Sequence, residues 1–360
     1  MISLGDSLPL NGPVLNLLNS CLVDSPVKKT MNARRTLAAL CWACFFHGAL
    51  SCPALCQCYA RRREVVCSEA PLTQYPSEGL PRDTAMLTVQ FTNVSSVSER
   101  QLGATPLLEE LHLYSNRLRS LSPHLLRGAP RLNTLDLTGN NLTDLPADVF
   151  SPAPRCSLVL KNNRLHKADA EWFPGNSSLT WLDLSGNRLT GVPGALLQKL
   201  PHLENLDLSN NNLEKIPAGS LDPLSKLERL NLHNNKLRTL EDSVLRGARN
   251  LTYLFLSRNK LSALPQKLFQ ELSQLRILNL EDNQLSHVPA GLLDRLRSLD
   301  EQGLDLASNP WLCDGRLEYL WRWLQENKEK VFLPDAVTCA GPPELSGRSV
   351  LSLTESDLKL

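Results

Sequence analysis

Leucines recur along this chain at a fixed beat. The pattern L-x-x-L-x-L-x-x-N-x-L runs seven times almost unbroken and places its asparagine at Asn116, Asn140, Asn187, Asn211, Asn235, Asn259 and Asn283. A degenerate copy ends in Asn163 and an altered ninth reaches Asn309; up to Asn283, successive asparagines stand 24, 23, 24, 24, 24, 24 and 24 residues apart. In the unit Leu203 to Asn211, the alternation at Leu206 and Leu208 is the period-two signal of a short strand with one buried face. Leu213, Ile216, Leu221 and Leu224 carry the apolar pattern through the returning half of the coil. A unit this small cannot bury its own leucines and must stack on a neighbour. Nine strands stacked about 4.8 Å apart give a parallel sheet about 40 Å long. The asparagine at each turn is expected to satisfy backbone groups of adjacent coils, which are costly to bury unpaired.

Pro146, Pro193, Pro217, Pro265 and Pro289 each follow a repeat asparagine by six residues. Proline cannot donate to a sheet, so the returning segments are expected to begin irregularly before a short helix or helical turn. The fold class is therefore α/β: a leucine-rich-repeat solenoid with a curved parallel β-sheet on its concave face and cysteine-containing caps at both ends. The array spans 85–308, preceded by an N-terminal cysteine-rich cap at 52–84 and followed by a C-terminal cap and tail at 309–360.

Two segments precede the cap. Met31-Asn-Ala-Arg-Arg opens an apolar run from Thr36 to Phe46 that extends to Leu50, and Ala49 and Ser51 supply the small residues signal peptidase prefers. Residues 31–51 thus read as a secretory signal peptide, about 15 apolar residues being short of the roughly 20 that span a bilayer. Residues 1–30 read as an upstream extension ahead of the initiator Met31.

Of ten cysteines, Cys21, Cys41 and Cys44 fall in the leader. Cys52, Cys56, Cys58 and Cys67 crowd ahead of the first strand. A secreted chain meets an oxidising compartment, where such a cluster forms disulfides rather than a metal site. The expected pairing is Cys52 with Cys58 and Cys56 with Cys67, one of three connectivities open to four cysteines. Cys313 and Cys339 close a second loop, worth about 3–4 kcal/mol in the chain-entropy model. Cys156 lies in the degenerate third repeat, where Arg155 replaces the first leucine; with no neighbouring base motif it reads as a buried or unpaired structural cysteine, not a catalytic thiol. In the C-terminal cap, Leu317, Leu320, Trp321 and Leu324 fall on one face of an amphipathic helix expected to cover the last repeat. Trp311, Trp321 and Trp323 read as cap packing in preference to a ligand cage.

The outward strand positions are the candidate binding surface. Asp136, Asp183, Asp207 and Asp305 form a discontinuous acidic row, which is either a receptor for a basic partner or a plain solvated face. Tyr253, Phe255 and Ile277 are apolar, contiguous across two strands and placed where solvent is expected; aromatic anchors of this kind are enriched at interface hot spots. Trp181, flanked by Val159, is a second candidate. The sequons Asn93-Val-Ser, Asn141-Leu-Thr, Asn176-Ser-Ser and Asn250-Leu-Thr are potential N-glycan acceptors. A net charge of +1 and 5% aromatic residues give no basic stripe for a phosphate backbone, so nucleic acid is not an expected partner. There is no G-x-S-x-G, H-E-x-x-H or phosphate-cradling glycine loop, and the histidines lack a nearby nucleophile. The chain reads as a non-enzymatic monomer without metal or cofactor.

Leu111-His-Leu, Leu135-Asp-Leu-Thr, Leu158-Val-Leu-Lys, Leu182-Asp-Leu-Ser-Gly-Asn-Arg-Leu and Tyr253-Leu-Phe-Leu, with the ending Asn309-Pro-Trp-Leu-Cys-Asp, Trp321-Arg-Trp-Leu-Gln and Cys339-Ala-Gly-Pro, resemble the secreted leucine-rich alpha-2-glycoprotein family of plasma. The resemblance covers about residues 80 to 350. It departs in the four-cysteine N-terminal cap, in residues 1–30 and in Cys156. It implies an extracellular glycoprotein that modulates transforming growth factor beta signalling through endoglin and the type I and II receptors, promotes angiogenesis, and binds cytochrome c. The caps also resemble those of the large non-catalytic subunit of a plasma carboxypeptidase, which would make the chain an enzyme's stabilising partner. That subunit has more repeats and reads Cys-Asp-Cys where this chain has Cys313-Asp-Gly315. A proteoglycan role would call for acidic Ser-Gly sites, and Ser185-Gly186 and Ser346-Gly347 lack that context.

Overall fold

Each coil begins with a three-residue strand whose middle leucine is buried and whose flanking residues face outward. In the computed structural model, which describes residues 52–151, 154–175 and 177–360, these strands are β4 (Glu110–His112), β5 (Thr134–Asp136), β6 (Ser157–Val159), β7 (Trp181–Asp183), β8 (Asn205–Asp207), β9 (Arg229–Asn231), β10 (Tyr253–Phe255) and β11 (Ile277–Asn279), followed by the two-residue β12 (Leu304–Asp305). They pair in sequence order, parallel and in register, so that Leu206, Leu230, Leu254 and Leu278 stack in one column. The expected signal peptide at 31–51, the segment 1–30, Cys21, Cys41 and Cys44, and the sequon residue Asn176 lie outside the described residues.

The curved sheet holds twelve strands, not nine. β3 (Met86–Gln90) belongs to a further coil, with Leu87, Val89 and Val94 buried in the leucine places. Thr92, 24 residues before Asn116, occupies the asparagine's place, and its hydroxyl donates to Asn116 Oδ1. Valine and threonine at the key positions hid this coil from the leucine-asparagine pattern. Ahead of it, the hairpin of β1 (Gln57–Tyr59) and β2 (Glu64–Ser68) extends the sheet, antiparallel within itself and parallel to β3.

The repeat asparagines join coil to coil, as their recurrence predicts. Asn211 Nδ2 donates to Leu184 O of the preceding coil at 3.0 Å and to Leu208 O of its own at 3.1 Å, while its Oδ1 accepts from Leu189 N at 2.9 Å. Asn140, Asn163, Asn187, Asn235, Asn259 and Asn283 repeat the arrangement. Asn309 does so as well, despite the two-residue insertion before it, with Nδ2 on Leu280 O at 2.9 Å and Oδ1 accepting from Leu285 N at 3.1 Å. All are buried. The residue before each asparagine is left-handed: glycine at Gly139 and Gly186, asparagine at Asn162, Asn210 and Asn234, and other residues such as Arg258, whose Cβ crowds the following carbonyl at a cost of about 1–2 kcal/mol.

On the returning side, prolines open helical turns. The carbonyl of Pro193 accepts from Leu197 N at the start of helix α2 (Gly194–Leu197), which follows α1 (Glu99–Leu102), and Pro217, Pro265 and Pro289 accept from Ser220, Leu268 and Leu292. Phe150, Trp172, Phe173 and Phe269 fill the wider convex side of the core. In the degenerate repeat Arg155 is exposed, and Pro154 and Cys156 are buried around the lost leucine. Cys156 Sγ lies 3.9 Å from Thr180 Oγ1, and Cys156 is not free, which removes the unpaired alternative.

Cys52 is bonded to Cys58, Cys56 to Cys67 and Cys313 to Cys339. The last of these fastens the strand pair β13 (Trp311–Leu312) and β14 (Cys339–Gly341) over the final coil. Helix α3 (Glu318–Glu326) lays Leu320 and Leu324 into the core beside Leu317, but its buried tryptophan is Trp323, not Trp321. Trp321 is half-buried under the chain's end, its indole N–H donating to Leu353 O at 3.1 Å. The segment leading to helix α4 (Glu355–Leu358) covers a helix face that the heptad pattern alone could not show to be covered. Trp311 is fully buried, with its indole N–H on Leu306 O, so the tryptophans pack the cap and form no ligand cage.

Replacing Asn211 by alanine leaves the carbonyls of Leu184 and Leu208 and the N–H of Leu189 buried without this partner, and is expected to destabilise the array by about 2–4 kcal/mol. Asn211→Asp, which keeps the acceptor and removes the donor, is expected to cost a similar amount. Chemical denaturation of both variants, with amide exchange at Leu189 and Leu213 to localise the effect, checks this.

Candidate functional site

The sequence-selected residues sit on the concave sheet in two outward rows. In the first, Trp181, Asn205, Arg229, Tyr253 and Ile277 lie on consecutive strands. In the second, His112, Asp136, Val159, Asp183, Asp207, Asn231, Phe255, Asn279 and Asp305 follow one another from β4 to β12. Rigid spacing of about 4.8 Å between strands thus converts residues 24 apart in sequence into neighbours.

The acidic row has a structural duty. Asp136, Asp183, Asp207 and Asp305 each accept through Oδ1 from the backbone N–H two residues on, at 2.8, 2.8, 2.9 and 3.1 Å. Asn231 and Asn279 do the same. A short polar side chain is used here to end each strand by bonding its own backbone, which accounts for the recurrence of Leu-Asp-Leu. The second carboxylate oxygen remains available: Asp207 Oδ2 accepts from Asn231 Nδ2 at 2.8 Å. Asp183 and Asp207 are adjacent, and burial, with the neighbouring Asp207 charge, pushes the Asp183 carboxyl up to about 6.

His112, Val159 and Phe255 take the same row position without a carboxylate or amide. Phe255, Tyr253 and Ile277 form one contiguous half-buried patch. Sequence reasoning missed its fourth member. The Arg229 guanidinium lies over Phe255 at 4.5 Å from the ring centroid and beside Tyr253 at 6.0 Å, a cation–π arrangement that puts a charge on the apolar patch. The signal available in sequence was Arg229 standing 24 residues before Tyr253. Trp181 is separated from this patch by β8, whose outward residue in the same row is Asn205, and flanks the acidic pair instead.

On β4, His112 sits between Glu110 and Asp136, with Nε2 3.4 Å from Glu110 Oε2 and Nδ1 3.9 Å from Asp136 Oδ2. Burial acts to lower its pKa, but hydrogen bonding and the charges of Asp136 and Glu110 outweigh it and hold the ring up at about 9. Phe91, 55% exposed, meets Tyr114 edge-on at 5.9 Å at the sheet's N-terminal rim; it belongs to the coil that the leucine pattern did not reveal. Of the sequons, Asn93 and Asn250 are exposed and Asn141 is half-buried, and Asn250 Nδ2 donates to Ser225 O at 3.0 Å. Among the described residues no group of three or more His, Cys, Asp or Glu side chains is placed to hold a metal ion, and no helix is long and apolar enough to cross a membrane.

The family described as leucine rich repeat matches residues 84–154, 157–213, 201–261 and 249–310, and the leucine rich repeat C-terminal domain matches 336–359. Among curated relatives, mouse reticulon-4 receptor-like 2 is 46% identical over 56 residues, 16% of this chain and 13% of that protein. The phospholipase A2 inhibitor of Gloydius brevicaudus siniticus is 36% identical over 55 residues, 15% of this chain and 17% of its own length. Human carboxypeptidase N subunit 2 is 44% identical over 55 residues, 15% and 10%. The chain thus spans under a fifth of the length of each of these relatives. Among solved structures, human 5T4 (Wnt-activated inhibitory factor 1, trophoblast glycoprotein) superposes with a TM-score of 0.53 at 26% identity, covering 86% of this chain and 99% of that one. The complex of latrophilin 3, Unc5D and FLRT2 contains a chain with a TM-score of 0.63 at 24% identity, covering 85% and 99%, which speaks to fold alone.

The His112 pair carries a pH dependence. Its folded-state pKa of about 9 lies above the ordinary 6.5, so the stabilisation is complete below about pH 6.5 and is lost as pH rises through 9. The His112 ring is expected to titrate near 9 by NMR and Asp136→Asn to bring that value down, while the melting temperature of His112→Gln falls less across this window than that of the wild type.

Proposed function

Because this chain belongs to the leucine-rich-repeat family, whose members are generally receptors or binding proteins without catalysis, we propose that it is a secreted protein-binding module. The observation that carries this reading is the patch of Tyr253, Phe255 and Ile277 under the Arg229 guanidinium. Three apolar side chains and a cation stand together on adjacent strands of a rigid sheet, where most other coils present Asp or Asn in the second row. Aromatic and arginine side chains are the types that dominate interface energetics. The neighbouring Asp183 and Asp207 add charge of the opposite sign for register, and Trp181 borders them. The disulfide-bonded caps fit an oxidising extracellular setting. Glycans at Asn93, Asn141, Asn176 and Asn250 would confine a partner to the surface they leave open.

The resemblance to leucine-rich alpha-2-glycoprotein supplies the partner class. On this reading the concave face engages transforming growth factor beta, its type I and II receptors or endoglin, with angiogenesis as the physiological output and cytochrome c as a further ligand. The segment shared with carboxypeptidase N subunit 2 favours a second reading, in which the chain is a non-catalytic subunit stabilising a plasma carboxypeptidase. Repeat number and Gly315 weigh toward the first.

Immobilised endoglin and receptor ectodomains, transforming growth factor beta and a carboxypeptidase catalytic subunit, titrated with the purified protein, separate the readings. Tyr253→Ala with Phe255→Ala is expected to weaken the productive pair at least tenfold, or about 1.4 kcal/mol, with the melting temperature near that of the wild type. Unchanged affinity would sink the role of the patch, and stoichiometric capture of the carboxypeptidase alone would select the second reading.

A further inference from the structure

Charge on this near-neutral chain is segregated by the coil geometry. The residue after each repeat asparagine points outward on one flank of the solenoid, and its backbone N–H donates to a carbonyl of the preceding coil: Arg164 to Leu142, Arg188 to Leu165, Asn212 to Leu189, Lys236 to Leu213 and Lys260 to Leu237, at 2.8–2.9 Å. These bonds repeat from coil to coil, so Arg164, Arg188, Lys236 and Lys260, all exposed, fall in one row over four coil steps, about 19 Å. The seven-residue windows centred on this row (161–167, 185–191, 209–215, 233–239 and 257–263) contain nine lysines and arginines and one acid, Glu214, in a chain of net charge +1. Lys167 pairs with Asp169 at 3.2 Å and Arg258 with Asp282 at 3.9 Å. Lys161, Lys215, Arg238 and the four residues of the row make no ion pair among the described residues.

We propose that this flank binds a linear sulfated glycosaminoglycan. A row of cations without ion pairs, two on either side of Asn212 and one coil apart within each pair, matches an extended polyanion that lies along it. Arginine and lysine recognise sulfate as they do phosphate, through charge-assisted hydrogen bonds. The windows contain no Phe, Tyr or Trp, and so offer no platform for stacking bases; this favours a polysaccharide over a nucleic acid. Asn141, a sequon, holds the next place in the row toward the N-terminus, so the footprint begins at Arg164. The surface is separate from the concave patch, and a protein partner there and a polysaccharide on the flank would not compete.

Size-defined heparin oligosaccharides, chemically desulfated heparin and duplex DNA of equal charge, titrated into the purified protein at about 0.15 M salt, test the assignment. The pairs Arg164→Ala with Arg188→Ala and Lys236→Ala with Lys260→Ala are each expected to weaken heparin binding about tenfold and to flatten its salt dependence. Desulfated heparin should not bind, melting temperatures should stay unchanged, and the Tyr253 and Phe255 variant should bind heparin as the wild type does. Absence of heparin binding by the wild type, or full retention by both flank variants, overturns the proposal. DNA binding as tight as heparin binding, lost in the same variants, overturns the polysaccharide assignment in favour of a general polyanion surface.

Discussion

One buried carboxamide per coil holds this protein together. From Asn140 on, each repeat asparagine donates to two carbonyls and accepts from an N–H of the preceding coil, in a place where water cannot substitute. A coil that turned without it would bury unpaired backbone groups, at about 1–3 kcal/mol each. No leucine packing gained in so short a unit offsets several such penalties. The asparagine therefore fixes the distance between coils, and with it the register of the strands, the stacking of the leucine columns and the placing of every outward side chain. Where the ladder begins, Thr92 takes over with a shorter side chain that reaches the Asn116 amide in place of the backbone. The two ends, which have no further coil to bond to, are closed by disulfides and a helix.

The same economy shapes the concave surface. A carboxylate or amide in the second outward row ends its strand by accepting from the chain two residues on, so most acids there are explained by local backbone chemistry. Positions that forgo this arrangement stand out for that reason. Phe255 does so and gathers Arg229 over its ring; His112 does so and becomes the centre of a three-residue charge cluster. The sheet thus carries, on β4 and again on β10, side chains that the coil geometry does not require, with Asp183, whose proton affinity is raised by burial and by the neighbouring Asp207, between them.

The leucine columns, the asparagine ladder, the proline-opened turns and the cap disulfides were all legible in the sequence, because each is a local requirement repeated every 24 residues or rests on cysteines gathered at the two ends of the array. Legibility failed where a position was met by different chemistry. The coil of β3 uses Val89 and Thr92 in place of leucine and asparagine, and Trp323 displaced Trp321 from the core because the chain's own C-terminal segment packs on the other side of α3.

What the sequence by itself determined is the periodic part: the side-chain period of two within a strand and the fixed return distance of the coil decide which residues are buried and which look out. What only the tertiary structure decided is lateral neighbourhood. Residues 24 apart touch only after the coils have stacked in register, and in that stacking Arg229 comes to lie over Phe255, His112 finds two carboxylates, and scattered arginines and lysines of a chain of net charge +1 become one basic edge. Contacts of this kind depend on strand register, set by hydrogen bonds between coils, and no local pattern encodes them.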